Sequence, residues 1–227
     1  MSDHQEFQFR VQDQGDVSAL FLRPAKARWL LIPAHGAGAG MRHPFMEQLA
    51  TELANVNIAT LRYQFPYMEQ RAQRGRRAPD SPPVLVATVA AALRAASEAA
   101  PDLPLLAGGK SLGGRMTSHA AAQGLLDGVR GLVFFGFPLH PPNAPGTKRA
   151  DHLPKVPMPM LFLQGTRDTL ADLRLLGPIC ANLGPRATLH VIESADHSFH
   201  VLKRSGTDDI AVLKHLAETV ASWAETL

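Results

Sequence analysis

Short apolar runs alternate along the chain with longer segments of helical periodicity. The runs are rich in Leu, Ile, Val, Phe and Met and end in glycine or polar residues, at 28–33, 57–63, 103–108, 131–136, 158–165 and 187–193. Continuous apolar runs of this length are typical of strands buried on both faces. Because helical segments separate them, the pattern predicts an α/β fold whose parallel sheet is covered by helices on both faces.

The remaining segments complete this layout. Residues 7–11 and 17–22 alternate around Gly15 and predict a β-hairpin. Helices are predicted at 44–53, 84–100, 112–123 and 170–183 and at the C-terminus. Pro44 suits a first helical turn, Thr169 with Asp172 resembles a capping box, and residues 207–209 provide a cap for the last helix. In that last helix Trp223 belongs to the apolar face.

Size and composition change this picture little. A length of 227 residues predicts one domain over 1–227 with a large core. The first six residues are polar and lack the basic and apolar regions of a secretory signal, and a single cysteine, Cys180, excludes an internal disulfide. The most apolar helix, near 84–93, is too short to span a bilayer. We therefore expect a cytoplasmic protein without membrane contact.

Candidate chemistry begins at Gly109-Lys110-Ser111-Leu112-Gly113, which has the form G-x-S-x-G of a nucleophile elbow. The serine hydroxyl must stand at a sharp turn between a strand and a helix, so Gly109 and Gly113 need to be nearly without side chains. A phosphate-binding P-loop would need glycine where the chain has Pro104. A plain glycine-rich turn is the other alternative.

Residues farther along the chain favour the elbow. Asp168 follows the run at 158–165, and His197 follows the run at 187–193, which gives the order Ser, Asp, His found in α/β-hydrolases. Upstream, the glycine-rich loop 35–40 follows another predicted strand and can direct backbone N–H groups at an oxyanion. We expect Ala37 and Leu112 to supply those N–H groups.

These residues resemble the α/β-hydrolase superfamily along nearly the whole chain. Within it, residues 108–115, 164–168 and 196–199 are similar to a small branch of bacterial proteins described as dienelactone-hydrolase-like, to a testis-expressed protein and to a domain of a chromatin-complex subunit. The resemblance implies the α/β-hydrolase fold with a mostly parallel central sheet, and a Ser111, Asp168 and His197 triad. The proline-rich segment 137–159 predicts that there is no separate cap domain. The fold does not indicate a substrate.

Alternatives remain for two members of this set. His200 is the nearest competitor of His197 as the base, and Asp172 and Asp196 compete with Asp168 as the acid. Asp172 has a capping role at a helix start, whereas Asp196 is too close along the chain to reach behind the neighbouring imidazole. We therefore expect Asp168 to be the acid.

Other polar residues are candidates for lining the pocket, namely His35, Lys110, His140 and His152. His35 also suits a role in ordering the glycine-rich loop. The ten histidines contain no HExxH pair or comparable ligand spacing, so we expect neither a metal nor another cofactor.

The distribution of charged residues indicates which kinds of ligand the protein could bind. The net charge is +3, and four arginines, at 71, 74, 76 and 77, fall in the loop 68–83. Without a binding motif or a long basic stripe, nucleic acid is not expected, and a solvated loop or recognition of an anionic substrate are the alternatives. We expect a serine hydrolase acting on a small-molecule acyl substrate, which is anionic if the arginine loop takes part in recognition. A catalytically weak interaction protein with this fold is the second hypothesis, and the oligomeric state is not indicated.

Overall fold

The computed structural model describes residues 4–69 and 78–227, and within them the strands form one eight-stranded sheet. The strands are β1 (Gln5–Val11), β2 (Gly15–Leu22), β3 (Trp29–Ala34), β4 (Ile58–Tyr63), β5 (Leu105–Lys110), β6 (Val129–Phe135), β7 (Met160–Gly165) and β8 (Ala187–Ile192). They lie in the order β1-β2-β4-β3-β5-β6-β7-β8. The β1–β2 and β2–β4 pairs are antiparallel and the others are parallel, which confirms both the hairpin and the mostly parallel sheet.

Helices cover both faces of this sheet. They are α1 (Pro44–Asn55), α2 (Pro82–Ala99), α3 (Leu112–Ala122), α4 (Leu173–Leu183) and α5 (Asp209–Ala224). One apolar cluster packs α1 and α5 on the sheet and contains Leu49, Leu216 and Trp223. A second cluster packs α2, α3 and α4 on the opposite face. The fold class and the burial of Trp223 are thereby confirmed.

One predicted boundary is wrong. We predicted that α4 begins at residue 170 with a capping box from Thr169, but it begins at Leu173. Asp172 is its N-cap, and its carboxylate accepts a hydrogen bond from the Arg174 N–H at 2.9 Å. The helix starts late because the Leu170 N–H donates to the Asp168 side chain at 2.7 Å. This bond draws the residues after Asp168 into the loop that follows β7.

The proline-rich segment after β6 forms no cap domain. It crosses the sheet edge with two short 3₁₀ turns, Lys148–Ala150 and Leu153–Lys155. Leu139, Leu153 and Val156 anchor it in the core. Among the described helices, none is both long and apolar enough to cross a membrane.

Candidate active site

Ser111 lies between β5 and α3, at the carboxyl edge of the parallel strands. Its backbone has φ +51° and ψ −116°, a conformation that costs a non-glycine residue roughly 1–3 kcal/mol. The two elbow glycines make the turn possible. A Cβ on Gly109 would lie 2.3 Å from the Ala34 oxygen, and a Cβ on Gly113 would lie 2.4 Å from the same atom. The elbow therefore packs directly on β3, and no side chain fits between them.

His197 and Asp168 approach Ser111 from two later loops. His197 Nε2 is 2.8 Å from Ser111 Oγ, and His197 Nδ1 is 2.7 Å from Asp168 Oδ2. Since the carboxylate only accepts hydrogen bonds, the imidazole carries its proton on Nδ1 and leaves Nε2 free to accept from the serine hydroxyl. The hydroxyl, the imidazole and the carboxylate thus form one continuous hydrogen-bonded chain.

The Asp168 carboxylate is fixed on all sides. Its side chain is fully buried, and besides His197 it accepts hydrogen bonds from the Leu170 N–H and from Gln164 Nε2. Gln164 cannot turn round, because its Oε1 accepts from the Phe137 N–H at 2.9 Å. Gln164 is a polar residue within the otherwise apolar β7, and that position is the sequence signal that would have singled it out.

A cavity of about 420 Å³ opens beside Ser111. Its polar lining includes His43, Lys110, Ser111, His197 and Ser198. The rest of the lining is apolar or backbone, from residues 36–39, Phe45, Met46 and Leu170. An apolar cavity with a few convergent polar groups is the usual form of a small-molecule site.

Side chains of the protein hold the carbonyl groups of the glycine-rich loop. The Gly36 oxygen accepts from His35 Nδ1 at 2.8 Å and lies 3.4 Å from the Tyr67 hydroxyl, which donates to the Ala37 oxygen at 2.9 Å. Because a trans peptide directs its N–H opposite its carbonyl, the Ala37 N–H points away from His35 and Tyr67. Ala37 and Ser111 line the same cavity.

Leu112 is placed to act together with Ala37. It is the first residue of α3, so its N–H has no partner within the helix and stands at the positive end of the helix dipole. The N–H of Ser111 itself is engaged, because it donates to the Phe135 oxygen at 3.3 Å. Leu112 is thus adjacent to Ser111, and Ala37 lines the same cavity. That their N–H groups hold an oxyanion stays a prediction.

His35 supports the loop from beneath and does not line the cavity. It is fully buried, and its Nε2 accepts a hydrogen bond from the Phe65 N–H at 3.0 Å. Burial lowers the pKa of His35 to about 4, so the ring is neutral at physiological pH. A neutral ring is what the contacts require, since one nitrogen donates and the other accepts.

Lys110 lines the cavity, as predicted, yet its ammonium group is turned to the protein. Nζ donates a hydrogen bond to the His197 main-chain oxygen. It also lies 5.7 Å from the ring centroid of Phe45 and 5.5 Å from that of Phe199. Burial lowers the pKa of Lys110 to about 8, against the opposing effect of Asp168 and Asp196.

Comparison with known proteins identifies the family. A model of the alpha/beta hydrolase domain matches residues 27–225, a range that includes the elbow and both later loops. The chain belongs to the alpha/beta hydrolase family. Its predicted superfamily and fold are thereby confirmed, and similarity to a testis-expressed protein or a chromatin-complex subunit stays a prediction.

Solved structures agree with this hydrolase fold. A dienelactone hydrolase from Anabaena variabilis superposes with a TM-score of 0.75 at 21% identity, covering 98% of this chain and 96% of that one. A lidless α/β serine hydrolase from Xanthomonas campestris gives 0.71 at 17% identity, covering 98% and 96%. The esterase domain of a Rhodothermus marinus protein gives 0.70 at 16% identity, covering 98% of each chain. At these identities the likeness concerns the fold.

Two further candidate pocket residues of this hydrolase lie elsewhere. His140 is buried, with Nδ1 2.9 Å from the Pro141 oxygen and Nε2 accepting from the Asp172 N–H, so it fastens the loop before α4. His152 stacks on His119 with ring centroids 3.6 Å apart, and its Nε2 is 2.7 Å from Ser118 Oγ. Both rings are engaged in packing the proline-rich segment and do not line the cavity.

The competing acids and the competing base have other partners. Asp172 caps α4 and pairs with Arg174. Asp196 Oδ1 accepts from the N–H groups of residues 198 and 200, and His200 pairs with Asp209 at 2.8 Å. The arginines at 71–77 lie outside the described residues.

Tyr67 supports the glycine-rich loop through its hydroxyl, a role that was not predicted from the sequence. No local pattern places this hydroxyl on the distant loop.

Proposed function

We propose that this alpha/beta hydrolase is a serine hydrolase that cleaves a small ester, thioester or lactone through an acyl-enzyme on Ser111. The observation that carries the proposal is the hydrogen-bonded chain from Ser111 through His197 to Asp168 at the mouth of an apolar cavity. A hydroxyl is a weak nucleophile until a neighbouring base takes its proton, and His197 Nε2 is within reach of that proton.

The steps follow from the geometry. Ser111 Oγ attacks the acyl carbon while its proton passes to His197 Nε2, and the Asp168 carboxylate stabilises the imidazolium. The bond to the leaving group then breaks, and His197 returns the proton to the departing alcohol or thiol. Water, deprotonated by the same imidazole, attacks the acyl-enzyme, and the imidazolium passes that proton to Ser111 Oγ as the bond to the acyl group breaks and the acid is released.

Negative charge on the acyl oxygen needs donors that are already in place. The N–H groups of Ala37 and Leu112 supply them, supported by the N-terminus of α3. A cavity of about 420 Å³ with walls from Phe45, Met46 and Leu170 suits a small acyl group. A preference for anionic substrates, suggested by the arginines at 71–77, stays a prediction.

A fluorophosphonate probe tests the nucleophile directly. We expect one covalent adduct, which peptide mapping assigns to Ser111, because phosphonylation needs an activated serine and an oxyanion site. Heat-denatured protein and the Ser111→Ala variant serve as unlabelled controls. If native protein stays unlabelled at neutral and mildly alkaline pH beside a reactive reference hydrolase, the interaction-protein hypothesis gains and the proposal fails.

Tyr67 provides a test of the oxyanion loop. We expect Tyr67→Phe to lower kcat about tenfold, since the loop loses the hydroxyl that holds the Gly36 and Ala37 carbonyls, while the donors themselves remain. Tyr63→Phe is the matched control. The Tyr63 hydroxyl is buried, with no hydrogen-bond partner among the described residues, so its removal leaves kcat unchanged and does not lower stability. Equal kcat for both variants, measured by steady-state ester hydrolysis, would contradict this role for Tyr67.

A further inference from the structure

Lys110 joins the elbow to the loop that carries His197. It is the last residue of β5 and directly precedes Ser111, yet its ammonium donates to the main-chain oxygen of His197, 87 residues later in the chain. The hydrogen bond therefore fixes the distance between the strand that carries the hydroxyl and the loop that carries the imidazole.

Aromatic rings enclose the same ammonium group. Phe45 of α1 and Phe199 of the His197 loop are stacked with centroids 5.9 Å apart, and Lys110 Nζ lies within 6 Å of both. Rings at this distance attract a cation through their quadrupole. On a further side, a Cβ on Gly136 would lie 3.2 Å from Nζ and 3.4 Å from the His197 ring, so little space remains beneath the imidazole.

The side-chain contacts of His197 explain why such a support matters. Ser111 bonds one nitrogen of the ring and Asp168 bonds the other. These two hydrogen bonds orient the imidazole, but they do not contact the backbone that carries it. The loop backbone is held at Ala195 by the Arg167 N–H and at residues 198 and 200 by the Asp196 side chain, while the main-chain oxygen of His197 itself accepts from Lys110. A displacement of about 1 Å in a reacting group can cost about 100-fold in rate.

We propose that Lys110 is a positioning residue that holds the His197 loop in register with Ser111 through the main-chain oxygen of His197. This inference rests on the proposed function, which it deepens. Because Lys110 lines the cavity, a role in substrate binding would be the first expectation for it. The proposal instead gives Lys110 the role of aligning the base, His197.

The ammonium form matters to this role, which gives it a pH dependence. The charged groups that act on Lys110 are Asp168 on the loop after β7 and Asp196 beside His197. The titratable imidazoles of His197 and of His43, which precedes α1, line the same cavity. Because burial lowers the pKa of Lys110 to about 8, the amine loses its charge above that pH and the ring and carbonyl contacts weaken. We expect kcat to decline on the alkaline side.

Three variants test the proposal. Lys110→Met keeps the length and the apolar stem of the side chain, and its end packs against Phe45 and Phe199, so the variant folds. We expect its kcat to fall about 10- to 100-fold, with KM within about threefold of the wild type. Lys110→Gln keeps an N–H donor without the charge, and we expect partial recovery of kcat and loss of the alkaline decline. Lys155→Met, at an exposed position, is the control and keeps the wild-type profile.

A measurement without turnover separates this proposal from the proposed function. With ¹³C-labelled histidine, the His197 Cε1 resonance should shift or broaden in Lys110→Met and stay unchanged in Lys155→Met. Wild-type kcat in Lys110→Met between pH 6 and pH 9, or a raised KM with unchanged kcat, would overturn the positioning role. If the wild type neither reacts with the probe nor hydrolyses esters, the proposed function fails, and the resonance alone then decides whether Lys110 holds the loop.

Discussion

Ser111→Ala should lower kcat for ester hydrolysis by about five to six orders of magnitude, and His197→Ala should do nearly the same. Either change breaks the hydrogen-bonded chain at its reactive end, since the hydroxyl and Nε2 are 2.8 Å apart and act as one unit. Initial rates with a chromogenic acetate or butyrate ester, at enzyme concentrations high enough to detect residual turnover, give the measurement.

The double variant makes this prediction sharper. Groups that act as a unit are strongly non-additive, so Ser111→Ala with His197→Ala should cost little more than either single change. Two controls match the substituted residue types. Ser97 donates to the Leu93 oxygen within α2, away from the cavity, and His200 pairs with Asp209 at the surface. Near-normal activity of His197→Ala, with loss in His200→Ala, would show that the base was assigned to the wrong histidine.

The sequence predicts most of this architecture because local rules govern it. Buried parallel strands are continuous apolar runs, and their alternation with helices leaves few topologies open. The elbow is also a local feature, because five consecutive residues determine it. Ser111 has a φ of +51°, and the glycines two positions before and after it pack against Ala34. The positions of Asp168 and His197 follow from strand ends that meet at one sheet edge.

What sequence analysis missed depends on contacts between distant segments. The Tyr67 hydroxyl reaches the glycine-rich loop, and Lys110 reaches the His197 oxygen, but neither contact leaves a periodic signal. The candidate pocket histidines show the converse. His35, His140 and His152 follow strands or lie in loops near the carboxyl edge of the sheet, yet each ring makes hydrogen bonds inside the fold and not toward the cavity. Proximity to the edge is predictable from sequence, whereas the direction of a side chain is set by tertiary packing.

The predicted start of α4 was also wrong because a contact outside the helix overrides the local signal. Thr169 and Asp172 have the spacing of a capping box, and local propensity favours a helix from residue 170. Asp168 overrides that preference by accepting the Leu170 N–H, and Asp172 becomes the cap in its place. The geometry around the carboxylate thus takes precedence over the local helix signal.

Asp168→Asn should lower kcat by roughly 10³- to 10⁴-fold while leaving the fold intact. The carboxylate accepts from His197, Gln164 and Leu170 at once. An amide offers one oxygen and two donors, and Gln164 cannot turn to present an acceptor because its Oε1 is held by the Phe137 N–H. The amide nitrogen of the asparagine must therefore take the place either of Oδ1, where it faces the Leu170 N–H, or of Oδ2, where it faces Gln164 Nε2 and donates to His197 Nδ1. In the second case the imidazole carries its proton on Nε2, where it cannot accept from Ser111.

Two other acid-to-amide changes serve as matched controls for this result. Asp172→Asn and Asp196→Asn remove charge from the same region, but both side chains have structural partners, at the start of α4 and within the His197 loop. Asparagine keeps an acceptor oxygen for those N–H groups, so we expect each control to retain kcat within about tenfold. Steady-state kinetics and thermal melts on all three proteins separate catalysis from folding. Collapse of activity in either control, with near-normal turnover in Asp168→Asn, would move the acid to that other carboxylate.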